Sequence, residues 1–307
     1  MPKIVVTNNQ GFTEKQKERL SSLGDVVYYD SFPENPNEYL ERVKGADIIC
    51  SGTAGLKDAY QKLKDVYVTV AFVSVAFIKE FDVLKDNNVI LSNAPGANRY
   101  AVSEWIMAMI LLLMRDLPNL INSKKILRIN GVGSLTTSGL AGNNITILGK
   151  GNVGNKVGEL ATAFGMSVRY FTRGDNLFDS VRDAVVVVDT LSSNSTTLGL
   201  LDVEFFDAMK QDSYFVSITR SEITNEDALL TALNEGKLAG AALDFGGILV
   251  GDTEDRAYQK FLNHPKVIVT PHISYNSEMS RLMGCDIMID NVEAYINGTP
   301  QNVVSLP

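Results

Sequence analysis

Histidine and cysteine are both scarce, with two of each in 307 residues. Cys50 and Cys285 stand far apart and share no metal-ligand spacing. Neither a disulfide framework nor a metal centre is expected, and a reducing cytoplasm fits. Basic charge is also short. The 28 Lys and Arg against 36 Asp and Glu leave a net charge of −8, and no basic stretch is available to follow a nucleic-acid backbone. The longest apolar run, Ile106 to Met114, is too short to span a bilayer. The start, Met-Pro-Lys before a short apolar strand, does not read as a signal peptide. The expectation is a cytoplasmic protein that binds neither nucleic acid nor membrane.

Glycine, in contrast, is plentiful at 24 residues, and 45% of the chain is hydrophobic. A chain of this length is too large for one small core, so two domains are expected. The most informative stretch is Ile145-Thr-Ile-Leu-Gly-Lys-Gly-Asn-Val-Gly154. An apolar strand, Ile145 to Leu148, meets Gly149, Gly151 and Gly154 at G-x-G-x-x-G spacing. An amphipathic helix, Val157 to Phe164, and a second strand, Ser167 to Phe171, follow. In such a unit the first glycine makes the tight turn, the second admits a pyrophosphate to the backbone, and the third lets helix pack on strand. The helix start then offers free N–H groups and a positive dipole end to phosphates. Where an NAD-binding unit places an acid to take the ribose hydroxyls, this chain has Thr172 followed by Arg173. A hydroxyl and a guanidinium suit a 2′-phosphate, so NADP(H) is preferred. A solvated Arg173, with Asp175 or the main chain serving NAD(H), stays open.

In chain order, strands are expected at Lys3 to Thr7, Asp25 to Tyr29, Ala46 to Ser51, Val66 to Phe72 and Val89 to Leu91. Helices fall between them, at Thr13 to Leu23 and Glu38 to Val43 and as a helix-like segment before Val89. Alternating strands and helices imply a parallel sheet covered on both faces. Asn93-Ala-Pro-Gly-Ala-Asn98 breaks the pattern as a domain boundary does. The helix Tyr100 to Met114 is apolar nearly all round, which calls for burial on several sides, between domains and against a second subunit. Asp116 to Gly142 reads as a crossover arm. Beyond the glycine unit, strands at Ala184 to Asp189, Tyr214 to Thr219, Ala239 to Phe245 and Val267 to Thr270 alternate with helices at Asp202 to Lys210, Asn225 to Asn234 and Glu254 to Leu262. A long amphipathic helix, Ser277 to Asn297, closes the chain with a stop at Gly298.

Only His264 and His272 can supply an imidazole acid/base near neutral pH. His264 lies in a polar Asn-His-Pro turn and reads as structural. His272 follows a strand and a proline, at the C-terminal sheet edge where ligands bind in open α/β folds. Arg220 ends another strand at the same edge, where a guanidinium can hold a ketoacid carboxylate and polarise its carbonyl. Pairing with Glu222 or Glu226 is the plainer alternative. Asp244 ends a third strand and either accepts from a nicotinamide carboxamide or closes a turn.

These pieces resemble the D-isomer-specific 2-hydroxyacid dehydrogenases, in particular the glyoxylate/hydroxypyruvate reductases. The resemblance runs over nearly the whole chain. It rests on Asn93-Ala-Pro-Gly-Ala-Asn-Arg-Tyr-Ala-Val-Ser-Glu104, the glycine fingerprint, Thr219-Arg220 before Asn225-Glu-Asp-Ala-Leu229, Gly240-Ala-Ala-Leu-Asp244, Thr270-Pro-His-Ile273 and Asn302-Val-Val304. It implies two doubly wound parallel-sheet domains. A Rossmann cofactor domain (98–275) is inserted into a flavodoxin-like substrate domain (1–97 plus 276–307), with the active site in the cleft. A homodimer is expected from the apolar helix Tyr100 to Met114 alone. His272 would be the acid/base and Arg220 the clamp on a small 2-keto or 2-hydroxy acid. Asn152 and Val153 would donate to the pyrophosphate. Leu191, Ser192 and Thr196 would line the adenosine side, and Ile218, Thr219, Arg220 and Asp244 the nicotinamide side. Main-chain amides of Ser74 and Val75 would take the substrate carboxylate, in a loop where glycines are more usual.

One departure stands out. The family's Glu, three residues after the Asp of Ala-Leu-Asp and bonded to the histidine, is Gly247 here, and Asp252 or Glu254 is a candidate replacement. The reading is therefore an NADP-preferring 2-ketoacid reductase. Its rivals are a dinucleotide-sensing interaction protein that kept the fold, and an NAD enzyme of the phosphoglycerate dehydrogenase type. Against the last, the chain ends soon after Val304.

Overall fold

The computed structural model describes residues 1–52, 59–71, 81–118, 137–219, 222–245 and 251–304. The chain divides into two compact units, one formed by Met1–Asn98 with Asn276–Pro307 and the other by Arg99–Tyr275.

In the first unit, strands β1 (Lys3–Val6), β2 (Asp25–Tyr28), β3 (Ile48–Ser51), β4 (Tyr67–Val70) and β5 (Ile90–Ser92) form a parallel sheet in the order β2-β1-β3-β4-β5. This is the flavodoxin-like winding. Alternate residues feed two cores. Val5, Ile49, Val68 and Leu91 pack with Tyr39, Val43 and Leu84 on one face. Ile4, Val6, Ile48, Cys50 and Tyr67 pack on the other with Leu20 and with Cys285, Met288, Ile289 and Val292 of the C-terminal helix Glu278–Ile296. Burial of both faces explains why these strands read as unbroken apolar runs. Helix α1 (Glu14–Ser21) starts in a capping box between Thr13 and Gln16, and α2 (Pro36–Arg42) starts on Asn35 with proline in its first turn. The short α3 spans Phe81–Asp86.

The end of the chain is tied into this sheet by a buried amide. Asn291, fully buried, donates through Nδ2 to Thr69 Oγ1 at 3.2 Å and to Asn93 O at 2.9 Å, and its Oδ1 accepts from Asn302 Nδ2 at 2.8 Å. Val303 then forms an antiparallel bridge with Ser92 at the β5 edge.

In the second unit, α4 (Arg99–Met114) leads to β6 (Asn144–Leu148), α5 (Asn152–Ala163) and β7 (Ser167–Phe171), then to β8 (Val186–Asp189), β9 (Ser213–Ser217), β10 (Leu238–Leu243) and β11 (Val267–Val269). The sheet is again all parallel, in the order β11-β10-β9-β8-β6-β7. The chain leaves β6 for β7 on one side and returns to its other side at β8. That reversal creates the switch point at which ligands bind in such sheets. One face packs Leu148, Val187, Phe205, Phe206, Phe215, Leu229, Leu243 and Phe261. The other packs Ile145, Ile147, Val186, Val188 and Val216 with Val157 and Ala161 of α5 and with Val102, Ile106, Met107, Met109, Ile110 and Met114 of α4.

Two expectations change in detail. Helix α4 buries much of its apolar surface within its own unit, against the sheet and α5, and needs no second domain or subunit for that part. The helix expected over Glu254 to Leu262 is shorter, Arg256–Phe261, because Asp255 caps it by accepting from Ala257 N and Tyr258 N. A short helix, Leu177–Val181, started by Asn176, was not anticipated. Most of the expected crossover arm, 119–136, lies outside the described residues.

Replacing Asn291 by Ala leaves Asn93 O and Asn302 Nδ2 without these partners. The expected loss is about 3 kcal/mol in the unfolding of the first unit, read by urea titration.

Candidate active site

The glycine fingerprint occupies the C-terminal end of β6, and each glycine has a distinct reason to be one. Gly149 has φ +98°, in the region other residues avoid, and a Cβ there would come within 3.2 Å of the Thr190 carbonyl. A Cβ on Gly154 would sit 2.1 Å from the Gly149 carbonyl and 3.0 Å from Thr190 Oγ1. Gly151 faces open space and is the N-cap of α5, with no side chain capping the helix start. The first N–H groups of α5, those of Asn152 and Val153, therefore adjoin a place where a phosphate can approach the backbone. Gly158, one turn further on, lies so close to β7 that a Cβ would fall 1.9 Å from Tyr170 Oη. The free helix start and the open face at Gly151 fit a dinucleotide pyrophosphate.

At the end of β7 the arrangement differs from the one expected. Thr172 donates both its N–H, at 2.7 Å, and its hydroxyl, at 2.8 Å, to Asp175 Oδ2. Those hydrogen bonds, the backbone one first, hold the exposed Asp175 carboxyl below its ordinary range. The Thr172 hydroxyl expected at a 2′-phosphate is thus engaged by a carboxylate, as is its N–H, while Arg173 is exposed at the tip of the turn.

The next two strand ends share a buried acid. Asp189, fully buried at the end of β8, accepts from Leu191 N at 3.0 Å on Oδ1. On Oδ2 it accepts from Ser217 Oγ at 3.2 Å and from Thr219 Oγ1 through a short hydrogen bond. Burial pushes its carboxyl up to about 6 against these three donors. Beside it Thr190 Oγ1 donates to the Leu148 and Gly149 carbonyls at 2.9 and 3.3 Å. The turn that follows is held partly by its own side chains and partly by Glu222, whose Oε2 accepts from Ser193 Oγ at 3.2 Å. Asn194 Oδ1 accepts from Thr196 N and Oγ1, and Thr197 Oγ1 donates to Ser192 O. Of the residues expected on the nicotinamide side, Ile218 is half-buried and Thr219 buried. Arg220 lies outside the described residues, as do Ser74, Val75 and Gly247. Glu226, one acid considered for Arg220, is buried and paired with Lys260 at 3.2 Å.

Asp244 and His272 form the last part. Asp244, buried at the end of β10, accepts from Thr270 Oγ1 at 2.5 Å and Ile273 N at 2.9 Å on Oδ1, and from Ser274 N at 2.8 Å on Oδ2. These bonds staple both sides of the Pro271-His272 turn to β10. His272 has φ +51°, a left-handed conformation that costs a non-glycine residue on the order of 1 kcal/mol. The charge-assisted bonds to Asp244 more than offset that cost. The carboxylate therefore serves the turn that presents His272. The imidazole is half-buried, with its ring edge-on to Tyr275 at 5.4 Å. Gly251 N donates to Pro271 O at 2.8 Å, which brings the segment carrying Asp252 beside the histidine turn. Asp252 Oδ1 accepts from Glu254 N. His264 is structural. Its Nδ1 accepts from Lys266 N, leaving Nε2 to donate to Asn234 Oδ1 at 3.3 Å, and burial lowers its pKa.

Sequence reasoning overlooked Gly158, Thr190, Asp189 and Ser217 as parts of this edge. An acid closing the valine run Val185 to Val188 was the available signal for Asp189. Among the described residues no group of His, Cys, Asp and Glu has the makings of a metal site, and no helix is long and apolar enough to cross a membrane.

A doubly wound parallel unit with an open glycine turn and a free helix start at its switch point has the form of a dinucleotide-binding domain. Comparison with known proteins specifies the class. The family model described as D-isomer specific 2-hydroxyacid dehydrogenase, NAD binding domain, matches residues 107–274, and the chain belongs to this family. It is 29% identical over 279 residues to the D-3-phosphoglycerate dehydrogenase of Bacillus subtilis, covering 85% of this chain but only 51% of that protein. The chain thus spans about half the length of that relative. It is 24% identical over 305 residues to the hydroxypyruvate reductase of Blautia hydrogenotrophica, covering 93% of this chain and 94% of the relative. Among solved structures, an acyclic imino acid reductase in complex with NADPH and D-Arg shares the fold with a TM-score of 0.82 at 22% identity, over 99% of this chain and 100% of that one.

Two outcomes follow from this geometry. Gly154→Ala forces a Cβ against a backbone carbonyl and is expected to destabilise the unit by about 3 kcal/mol. Gly151→Ala should leave the melting temperature unchanged and weaken nucleotide binding at least about tenfold, 1.4 kcal/mol, measured by fluorescence titration.

Asp189→Asn tests the buried acid. A carboxyl raised in the folded state, from 3.8 to about 6, contributes stability that is complete below pH 3.8 and is lost as pH rises through 6. Urea melts from pH 4 to 7.5 should therefore show the variant gaining on the wild type as pH rises, by about 3 kcal/mol at neutral pH.

Proposed function

We propose that this chain is a 2-hydroxyacid dehydrogenase acting mainly as a 2-ketoacid reductase. The observation that carries the reading is the His272 turn, stapled by Asp244 on the same sheet edge as the glycine fingerprint. When bound, a nicotinamide dinucleotide supplies the hydride that reduces the keto carbon. Arg220 holds the carboxylate and draws charge from the carbonyl, with the Ser74 and Val75 amides on the same carboxylate. His272 gives its proton to the carbonyl oxygen as the alcohol forms. Holding the turn that carries the imidazole supplies rate through orientation, and the guanidinium supplies it through charge stabilisation. Asn152 and Val153 N–H groups take the pyrophosphate. Leu191, Ser192 and Thr196 line the adenosine side, and Ile218 and Thr219 the nicotinamide side. Asp252, in the segment bonded to Pro271, is the acid we assign to His272 in place of the family's Glu.

The cofactor reading remains NADP(H) over NAD(H), and it rests on Arg173. No carboxylate stands at the strand end itself, and the exposed guanidinium suits a 2′-phosphate. Asp175 opposes it as a like charge on the same turn. A homodimer in the cytoplasm completes the proposal.

A second reading, a phosphoglycerate dehydrogenase type of enzyme, is favoured by the similarity to the Bacillus subtilis protein. One assay separates the two. Reduction of glyoxylate and hydroxypyruvate, with phosphohydroxypyruvate as the comparison, is followed by loss of NADPH or NADH absorbance. Turnover of the unphosphorylated acids is expected, falling at least about 100-fold in His272→Ala. Absence of turnover with all of them, or no effect of His272→Ala, would sink the assignment.

Two charge changes test the cofactor choice. Arg173→Asp should weaken NADPH selectively, and Asp175→Asn should improve NADPH over NADH by about fivefold. Equal changes for both cofactors would remove the case for NADP.

A further inference from the structure

The end of β8 holds a buried acid that neither the proposed chemistry nor nucleotide contact uses. Val186, Val187 and Val188 are fully buried, and an apolar side chain at the next position would continue that packing. Asp189 stands there instead, with no exposure. A buried carboxylate costs folding energy unless its partners compensate, so what it holds together matters. Its donors come from two separate loops. Leu191 N begins the turn after β8, and Ser217 Oγ and Thr219 Oγ1 belong to the end of β9. Ser217 Oγ also accepts from Thr219 N at 3.2 Å, closing the strand end on itself. The adjacent Thr190 hydroxyl reaches the Leu148 and Gly149 carbonyls of the glycine turn. Asp189 and Thr190 are thus the common node of three loops along one sheet edge, and the residue after Thr219 is Arg220.

We infer that Asp189 is a positioning residue, which fixes the end of β9, through Thr219, against the turn after β8 and so holds the backbone that leads into Arg220. This rests on the proposed role of Arg220. The carboxylate has no exposed surface to offer a substrate or cofactor. It acts through Thr219, whose hydroxyl and N–H are both held within the cluster. Three donors converging on two oxygens leave the strand end little freedom, and small misplacements at a reacting centre are costly to turnover.

The test uses the full-length chain with Asp189→Leu, Asp189→Asn and Thr219→Val. Three readouts are taken: steady-state reduction of a ketoacid, NADPH binding by fluorescence, and amide hydrogen exchange over 190–197 and 214–222. Asp189→Leu is expected to lower kcat by on the order of 100-fold, with NADPH affinity falling by a smaller factor, on the order of tenfold, because Leu191 N loses its acceptor. Exchange should rise in both segments and nowhere else. Asp189→Asn, which keeps an acceptor for Leu191 N and can donate to the hydroxyls, should return kcat to within about threefold of wild type. Equal losses in the Leu and Asn variants, or unchanged exchange in Asp189→Leu, would overturn the inference. Should Asp189→Leu not fold, Thr219→Val decides. It is expected to lower kcat about tenfold at an unchanged melting temperature, and an unchanged kcat counts against the inference. If wild type reduces no ketoacid, the reaction assignment fails on its own, while the exchange data still decide whether Asp189 holds the two loops.

Discussion

Everything at the candidate site depends on six parallel strands leaving their sheet at one edge. A parallel sheet buries both faces, so its interior strands carry apolar residues and little chemistry. Polar groups are confined to the strand ends. In the second unit those ends carry Gly149, Thr172, Asp189, Thr219, Asp244 and Thr270, far apart in sequence and gathered by register alone. The switch point beside β6 leaves room where the helix start is open.

The same edge solves a second problem, which is to hold loops still without a core. Buried carboxylates serve as staples. Asp244 binds the Pro271-His272 turn, and Asp189 joins the ends of β8 and β9. Each accepts three hydrogen bonds from backbone N–H groups or hydroxyls, which are short donors on loops that would otherwise fray. Asn291 does equivalent work in the first unit, where the C-terminal segment returns to β5. Polar staples of this kind are costly if half-made and rigid when complete.

Much of this was legible in the chain. The strand series, the fingerprint and the break near Asn98 follow from apolar runs and glycine spacing, which are local properties. Positions for His272 and Asp244 at strand ends were legible for the same reason. The roles were less so. Asp244 read equally as a nicotinamide acceptor or a turn-former, and only the structure shows the three bonds to residues 270–274 by which it closes the turn. Thr172 read as a phosphate donor, yet a carboxylate three residues later takes both its donors. The apolarity of α4 pointed to partners outside its unit, whereas much of it is satisfied by α5 and the sheet.

The sequence by itself determined the class of fold and the family, and it singled out the residues proposed to bind phosphate or move a proton. Those properties reside in short windows: period, glycine spacing and the scarcity of histidine. Tertiary structure alone decided which polar side chains are already engaged. Hydrogen-bond partners such as Asp189 with Thr219, or Asp244 with Ser274, lie about 30 residues apart, and no local pattern encodes a pairing that exists only when the strands align. Whether an acid at a strand end is free for a ligand or committed to a loop is a question of distance between strands, and distance is what folding supplies.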